Sequence, residues 1–87
     1  MYLILAYDVS VRRTNKVLKI ARRYLYWVQN SVLEGDISVA NYKRLKMELD
    51  VVIDPKEDSV VFYMMENMTY NLRETMGVQK RGDVIII

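Results

Sequence analysis

The sequence has neither cysteine nor histidine. Without cysteine the chain can form no disulfide, no zinc–thiolate site and no thiol nucleophile, and without histidine it lacks the commonest general base and metal ligand. Any catalysis must therefore use carboxylates, hydroxyls and cations. No apolar run approaches the roughly 20 residues that a membrane-spanning helix needs. No secretion signal is visible either, so we expect a soluble, cytoplasmic protein without a membrane partner.

The chain also lacks linkers, repeats and low-complexity tracts, and its 87 residues are enough for one domain, which we place over residues 1–87. A domain of this size buries somewhat more than roughly 60% of the surface that its unfolded chain exposes. Its margin of stability is therefore thin, and dimerisation would increase it.

The net charge of +2 hides an uneven distribution. Residues 1–30 contain six cations and one acid, whereas residues 31–87 contain seven cations and ten acids. Clustered cations raise the local potential and attract phosphate, so nucleic acid is a candidate partner. A solvated helix face would have the same composition, and charge alone does not separate the two interpretations.

The first strand, Tyr2–Tyr7, is apolar on both faces and runs directly into Asp8. A chain with room for about two helices cannot cover both faces of a sheet, so one face of this strand predicts a partner surface. Asp8 lies where the strand ends, near that partner, and is the first candidate for chemistry. The alternative is structural, because an aspartate here often caps a turn through backbone N–H groups such as that of Ser10.

Two helices are predicted from periodicity. The first, over residues 14–24, has one apolar face and an opposite stripe of basic residues, in line with Arg12 just before it; the stripe consists of Lys16, Lys19 and Arg23. The second runs to about Asp50 after a cap from Asp36 or Ser38, and its predicted buried face contains Val39, Tyr42, Leu45 and Leu49. The charged loop Asp54–Asp58 follows, and we expect its side chains to be solvated.

The fold depends on how residues 26–37 are divided. A tight turn at Asn30-Ser31 gives the strands Tyr26–Gln29 and Val32–Ile37, and Ser59–Met65 forms the next strand. The order is then β-α-β-β-α-β, an α+β ferredoxin-like sandwich with both helices on one sheet face. Residues 72–78 form only a weak segment, and Val84–Ile87 is an additional C-terminal strand. We expect residues 83–87 to pair with a partner subunit, which makes the protein a homodimer.

Several segments resemble the small CRISPR-associated endonuclease family of the spacer-acquisition (adaptation) complex. Tyr7-Asp8-Val9-Ser10 is similar to the end of the family's first strand, with Arg12 and Arg13 following as its basic residues. The segment Gln29–Gly35 is similar to the family's glutamine-x-serine-valine-phenylalanine-glutamate motif, with Leu33 in place of the phenylalanine.

The resemblance implies a homodimer in which Asp8 and its symmetry mate hold Mg²⁺, with Mn²⁺ as the alternative, and Asp8 is the catalytic residue. Five cations would bind RNA or double-stranded DNA: Arg12, Arg13, Lys16, Lys19 and Arg23. Tyr7, Ser10 and Ser31 would support the site, although turn hydroxyls mostly satisfy backbone groups. Tyr7 and Trp27 are also candidates for stacking on bases, but an aromatic residue on a strand is more often part of the core.

Three functions remain open from the sequence. The first is a metal-dependent endonuclease of spacer acquisition that hydrolyses phosphodiesters. The second is a non-catalytic subunit that bridges DNA for the adaptation integrase, and the third is a toxin-like endoribonuclease of the same fold.

Overall fold

The computed structural model describes the backbone of residues 1–66 and 69–79 and the side chains of residues 1–66 and 72–79. Within these residues there are two helices and five strands, which follow each other as β1 (Tyr2–Asp8), α1 (Val11–Ala21), β2 (Tyr26–Gln29), β3 (Val32–Asp36), α2 (Val39–Val52), β4 (Ser59–Glu66) and β5 (Thr69–Gly77). The strands form one sheet in the order β2-β3-β1-β4-β5, and every neighbouring pair is antiparallel. The predicted α+β, ferredoxin-like architecture is confirmed.

The hairpin between β2 and β3 turns at the predicted place. Asn30 has a φ of 37°, in the left-handed region that asparagine tolerates better than most residues. The register then pairs Trp27 with Leu33 and Tyr26 with Glu34. This turn is what converts one long apolar segment into two strands and produces the split β-α-β order.

The predicted first helix is displaced by three residues. α1 begins at Val11 because Ser10 caps it, and the Ser10 side chain accepts a hydrogen bond from the backbone N–H of Arg12 at 3.3 Å. After Ala21 the chain continues in turns through residue 25. Arg12 and Arg13 therefore lie inside the helix, and Arg23 and Tyr24 lie outside it.

The second helix begins as predicted and ends two residues later. Ser38 is the cap, and its hydroxyl accepts from the N–H of Asn41 at 3.1 Å. Tyr42, Leu45 and Leu49 are buried as expected, but Val39 is 60% exposed. The prediction for Val39 was wrong because the buried face of α2 begins only at Tyr42, one turn after this first helical residue.

The last strand of the sheet, β5, was predicted only as a weak segment over residues 72–78. It is a nine-residue strand that pairs with β4 from Ser59↔Gly77 to Glu66↔Thr69. The additional strand predicted at Val84–Ile87, and the pairing of residues 83–87 with a partner, lie outside the described residues.

The hydrophobic core fills one side of the sheet, between the strands and both helices. Alternate residues of β1 and β4 face it, and the buried set includes Leu3, Leu5, Tyr7, Val17, Ala21, Leu33, Leu45, Leu49, Val60 and Phe62. Tyr42 packs edge-on against Phe62, with ring centroids 5.2 Å apart. The other face carries Tyr2, Ile4 and Ala6 of β1 and Val61, Tyr63 and Met65 of β4, all only partly buried. Neither helix covers that face.

The described residues contain no helix that is both long and apolar enough to cross a membrane.

Candidate functional site

Asp8 is the last residue of β1, the middle strand of the five, and its side chain is exposed. It follows the buried Tyr7, so strand alternation directs it to the face that the helices leave uncovered. Its register partner on β4 is Ser59. The predicted catalytic carboxylate is therefore accessible, at the centre of one end of the sheet.

The predicted supporting residues gather at the same end of the sheet. The N–H of Tyr7 donates to the carbonyl of Ser31 at 3.0 Å, which ties the β2–β3 turn to β1. Burial raises the pKa of the Tyr7 hydroxyl, while a hydrogen bond with Ser31 acts in the opposite direction. Tyr7 is only 6% exposed and belongs to the core, so it is not available to stack on a base. Ser10 caps α1, and these residues fix the loop that follows Asp8.

A second aspartate, Asp58, organises this loop from inside the protein. Its side chain is fully buried and accepts hydrogen bonds from the N–H of Ser10 at 2.9 Å and the N–H of Asp54 at 2.8 Å. Arg13 donates to both of its carboxylate oxygens. These Arg13 bonds lower the pKa of Asp58 far below its usual range, against the opposing effect of burial. The expectation that the whole 54–58 loop is solvated was wrong for this residue.

The backbone of Asp58 makes a further connection, to the end of β5. Its carbonyl accepts from the N–H of Val78 at 2.8 Å. Gly77 has a φ of +82°, and a Cβ there would lie 2.1 Å from the Asp58 carbonyl oxygen. Asp58 therefore joins the loop after β1, the loop before β4 and the end of β5; we call this set of contacts the Asp58 junction.

The five predicted nucleic-acid-binding cations are placed in two different ways. Arg13 points into the Asp58 junction, with 17% of its side chain exposed and a second bond to Glu57 at 2.9 Å. Hydrogen bonding to Asp58 raises its pKa. The other four remain on the outer side of α1 and the following turn: Arg12, Lys16, Lys19 and Arg23. Arg12 lies 3.6 Å from Glu57, and Arg23 pairs with Glu48.

The described side chains of one chain do not form a metal cage by themselves. Residues 1–66 and 72–79 contain no group of three or more potential His, Cys, Asp or Glu ligands. The carboxylate of Asp8 is a hard oxygen ligand of the kind that Mg²⁺ accepts, and Mg²⁺ usually takes one or two carboxylates and keeps several waters. The donor chemistry fits Mg²⁺ when a second copy supplies the second carboxylate.

Comparison with known proteins identifies the family of this chain. A sequence model described as "CRISPR associated protein Cas2" matches residues 1–73, which include Asp8, Asp58 and the first half of β5. The chain belongs to the Cas2 family. This confirms the resemblance to the CRISPR-associated family noted in the sequence.

Curated Cas2 relatives match nearly the whole chain. A protein of Thermotoga maritima is 54% identical over 86 residues, covering 99% of each chain, and one of Dictyoglomus turgidum is 51% identical over 80 residues, covering 92% of each. Both are named "CRISPR-associated endoribonuclease Cas2".

Two Cas2 crystal structures have the same fold. One is 36% identical with a TM-score of 0.75, covering 100% of this chain and 95% of the other. The Streptococcus pyogenes Cas2 structure is 32% identical with a TM-score of 0.72, covering 78% and 89%.

Proposed function

We propose that this Cas2 protein is a metal-dependent endonuclease that acts on nucleic acid as a homodimer, with Asp8 as its catalytic carboxylate. One observation carries the proposal: Asp8 is exposed at the end of the central strand, on the sheet face that the helices leave uncovered. The names of the relatives support phosphodiester hydrolysis as the reaction and RNA as a substrate.

A second copy of the chain is the best cover for the open face. Apolar residues such as Ile4, Val61 and Met65 alternate along β1 and β4 there. Contiguous exposed apolar surface on a small domain marks an interface, and a two-fold axis would place equal residues opposite each other. The two Asp8 side chains would then approach each other across the dimer.

This arrangement gives the two carboxylates a shared role. Two like charges about 5 Å apart repel by roughly 3 kcal/mol at an effective dielectric of about 20, and a divalent cation between them removes that repulsion. Mg²⁺, with Mn²⁺ as the alternative, would supply Lewis-acid stabilisation of the phosphate and an activated water when bound. Asp8 would hold it, and the Asp58 junction would fix the backbone that carries Asp8.

The remaining exposed cations of α1 would hold the substrate. Arg12, Lys16, Lys19 and Arg23 are spaced by three or four residues and therefore share one side of the helix and the turn after it. Such a stripe follows a phosphate backbone without reading its sequence. RNA and double-stranded DNA both fit it.

The same stripe favours a second function, a non-catalytic subunit that bridges DNA for the adaptation integrase. A scaffold needs the cations and the dimer but not Asp8. Reversing the charge of Lys16 and Lys19 together should weaken duplex binding and flatten its dependence on salt in either case. Unchanged affinity would remove the stripe from both functions.

Substitution of Asp8 separates the two functions. The Asp8→Asn variant should lose Mg²⁺- or Mn²⁺-dependent cleavage of RNA and duplex DNA and keep its affinity for both. Asp50→Asn, at an exposed acid of α2, is the matched control and should cleave normally. Cleavage that survives in Asp8→Asn would contradict the catalytic role, and a wild-type protein that binds duplex but does not cleave with either metal would favour the scaffold.

A further inference from the structure

The strand β2 forms one edge of the sheet among the residues that the structure describes, and all four of its residues are exposed. Three of them are large and apolar: Tyr26 is 80% exposed, Trp27 50% and Val28 49%. An exposed tryptophan beside two more apolar side chains is costly in water for a domain of this size. We therefore expect a ligand or a partner to bind this edge.

Trp27 is the best-defined of these side chains because its ring is held from two sides. Its Nε1 donates to the carbonyl of Asn30 at 3.0 Å, so the polar edge of the ring is satisfied within the hairpin. The guanidinium carbon of Arg22 lies 5.6 Å from the ring centroid. A ring fixed in this way loses little conformational freedom when a flat ligand stacks on it.

Arg22 makes the side of the Trp27 ring that it approaches cationic, while Asp36 lines a second groove with Arg22 and Tyr26. Arg22 follows the last residue of α1, and with Lys19, Asn15 and Leu18 it lines a shallow groove of about 320 Å³ that contains no acid. In the described part of the chain neither Lys19 nor Arg22 has an acidic partner, whereas Arg23 is paired with Glu48. An aromatic face beside Arg22, with Lys19 in the adjoining groove, suits a ligand that carries both flat rings and phosphates.

We propose that Trp27 and Arg22 form a stacking site for an unpaired base of single-stranded nucleic acid, and that Arg22 and Lys19 neutralise its phosphates. The faces of bases inside a duplex are hidden, so only the bases of single-stranded segments, overhangs or loops can use such a site. This inference rests on the proposed function in one respect, that the ligand is nucleic acid.

The stacking site is separate from the candidate cleavage site. Trp27 is in register with the buried Leu33, on the helix side of the sheet, whereas Asp8 lies on the opposite side. Leu33 is paired with Leu5, three residues before Asp8. Trp27 and Asp8 are thus separated by two strand spacings across the sheet and by three residues along it, which corresponds to a distance of roughly 14 Å. Substitutions at Trp27 should therefore leave the chemistry at Asp8 in place.

Trp27 is the only tryptophan of the chain, so its fluorescence reports directly on this site. We expect a 12-residue oligothymidine or oligouridine to quench it on binding, and a blunt duplex of equal length to leave it unchanged. The comparison of the two oligonucleotides distinguishes a DNA from an RNA ligand. No quenching by either, at concentrations where binding is seen by anisotropy, overturns the proposal.

Variants test the same site by affinity. Trp27→Ala should weaken binding of the single strand about 5- to 150-fold, the range expected for losing one base–aromatic stack, while duplex affinity stays within about twofold. Trp27→Tyr should restore most of the loss, and Val28→Ala, the neighbouring exposed apolar residue, should have no such effect. Equal losses for single strand and duplex, or a change of oligomeric state in place of the affinity loss, would overturn the proposal.

The outcomes also separate this inference from the proposed function. Quenching of Trp27 without Asp8-dependent cleavage leaves the stacking site and removes the nuclease. Asp8-dependent cleavage without quenching does the reverse.

Discussion

Asp8 and Asp58 lie at the same end of the sheet and have opposite environments. Asp8 is exposed on the open face, whereas Asp58 is fully buried and bonded to Arg13 and two backbone N–H groups. The two are linked through Ser10, whose N–H binds Asp58 and which lies two residues after Asp8. The buried Asp58 therefore stabilises the end of the sheet at which Asp8 is exposed.

The sharpest way to break this comparison is to remove the buried carboxylate. Asp58→Ala leaves buried donors without an acceptor, and we expect a loss of about 3–5 kcal/mol in the free energy of unfolding, measured by urea denaturation. Glu57→Gln is the control, because half of that side chain is exposed and its loss should cost little. A loss for Asp58→Ala no larger than that of the control would contradict the structural role.

Acid should weaken the same interaction without a mutation. The pKa of Asp58 is lowered in the folded protein by Arg13, so the unfolded chain takes up its proton first as the pH falls. Its stabilisation is complete above the ordinary aspartate pKa of about 4 and declines below it. Urea midpoints between pH 6 and pH 2.5 should fall more steeply for the wild type than for Asp58→Asn. Parallel curves would show that another group carries the acid sensitivity.

Adding a methyl group at Gly77, on the β5 side of the Asp58 junction, should have a smaller effect on the free energy of unfolding. Gly77→Ala places a Cβ against the Asp58 carbonyl at a positive φ, and we expect a loss of about 1–3 kcal/mol. Gly35→Ala is the control, because its Cβ would make only ordinary contacts, the nearest at 3.5 Å. Equal unfolding energies for both variants would argue against a tight junction.

The smallest effect is expected at the exposed acid. Asp8→Asn should lower the free energy of unfolding by about 0.5 kcal/mol or less, as is usual at an exposed position. The same urea denaturation gives the value. A loss close to that of Asp58→Ala would mean that Asp8 also belongs to the structural core of this end of the sheet.

Local signals predicted much of the fold. The cap at Asp36 or Ser38, the turn at Asn30-Ser31 and the strand end at Asp8 depend on neighbouring residues alone; in the structure Ser38 is the cap, and the turn and the strand end lie where predicted. The sequence resemblance also identified the family, which the match over residues 1–73 confirms.

The misses concern contacts between distant parts of the chain. The buried charge of Asp58 is paired by Arg13, 45 positions earlier, and a charged loop does not predict this distant contact. The start of α1 depends on the Ser10 cap, whose N–H is fixed by the same distant acid. β5 has a mixed composition with little strand preference, and its pairing with β4 determines its conformation. For Asp58, the sequence held one indication of its role: it directly precedes β4, the strand that pairs with β1.

The ion pair between Arg13 and Asp58 also favours a single register between β1 and β4. Asp58 stands one position before Ser59, which is opposite Asp8, so sliding β4 by a single residue would invert its pleat and turn Asp58 to the outer face. Arg13 would then lose its counter-ion, and Phe62 would leave the interior. A shifted register would therefore lose an ion pair as well as core packing. These two losses favour the observed register over the others that strands with two apolar faces would allow.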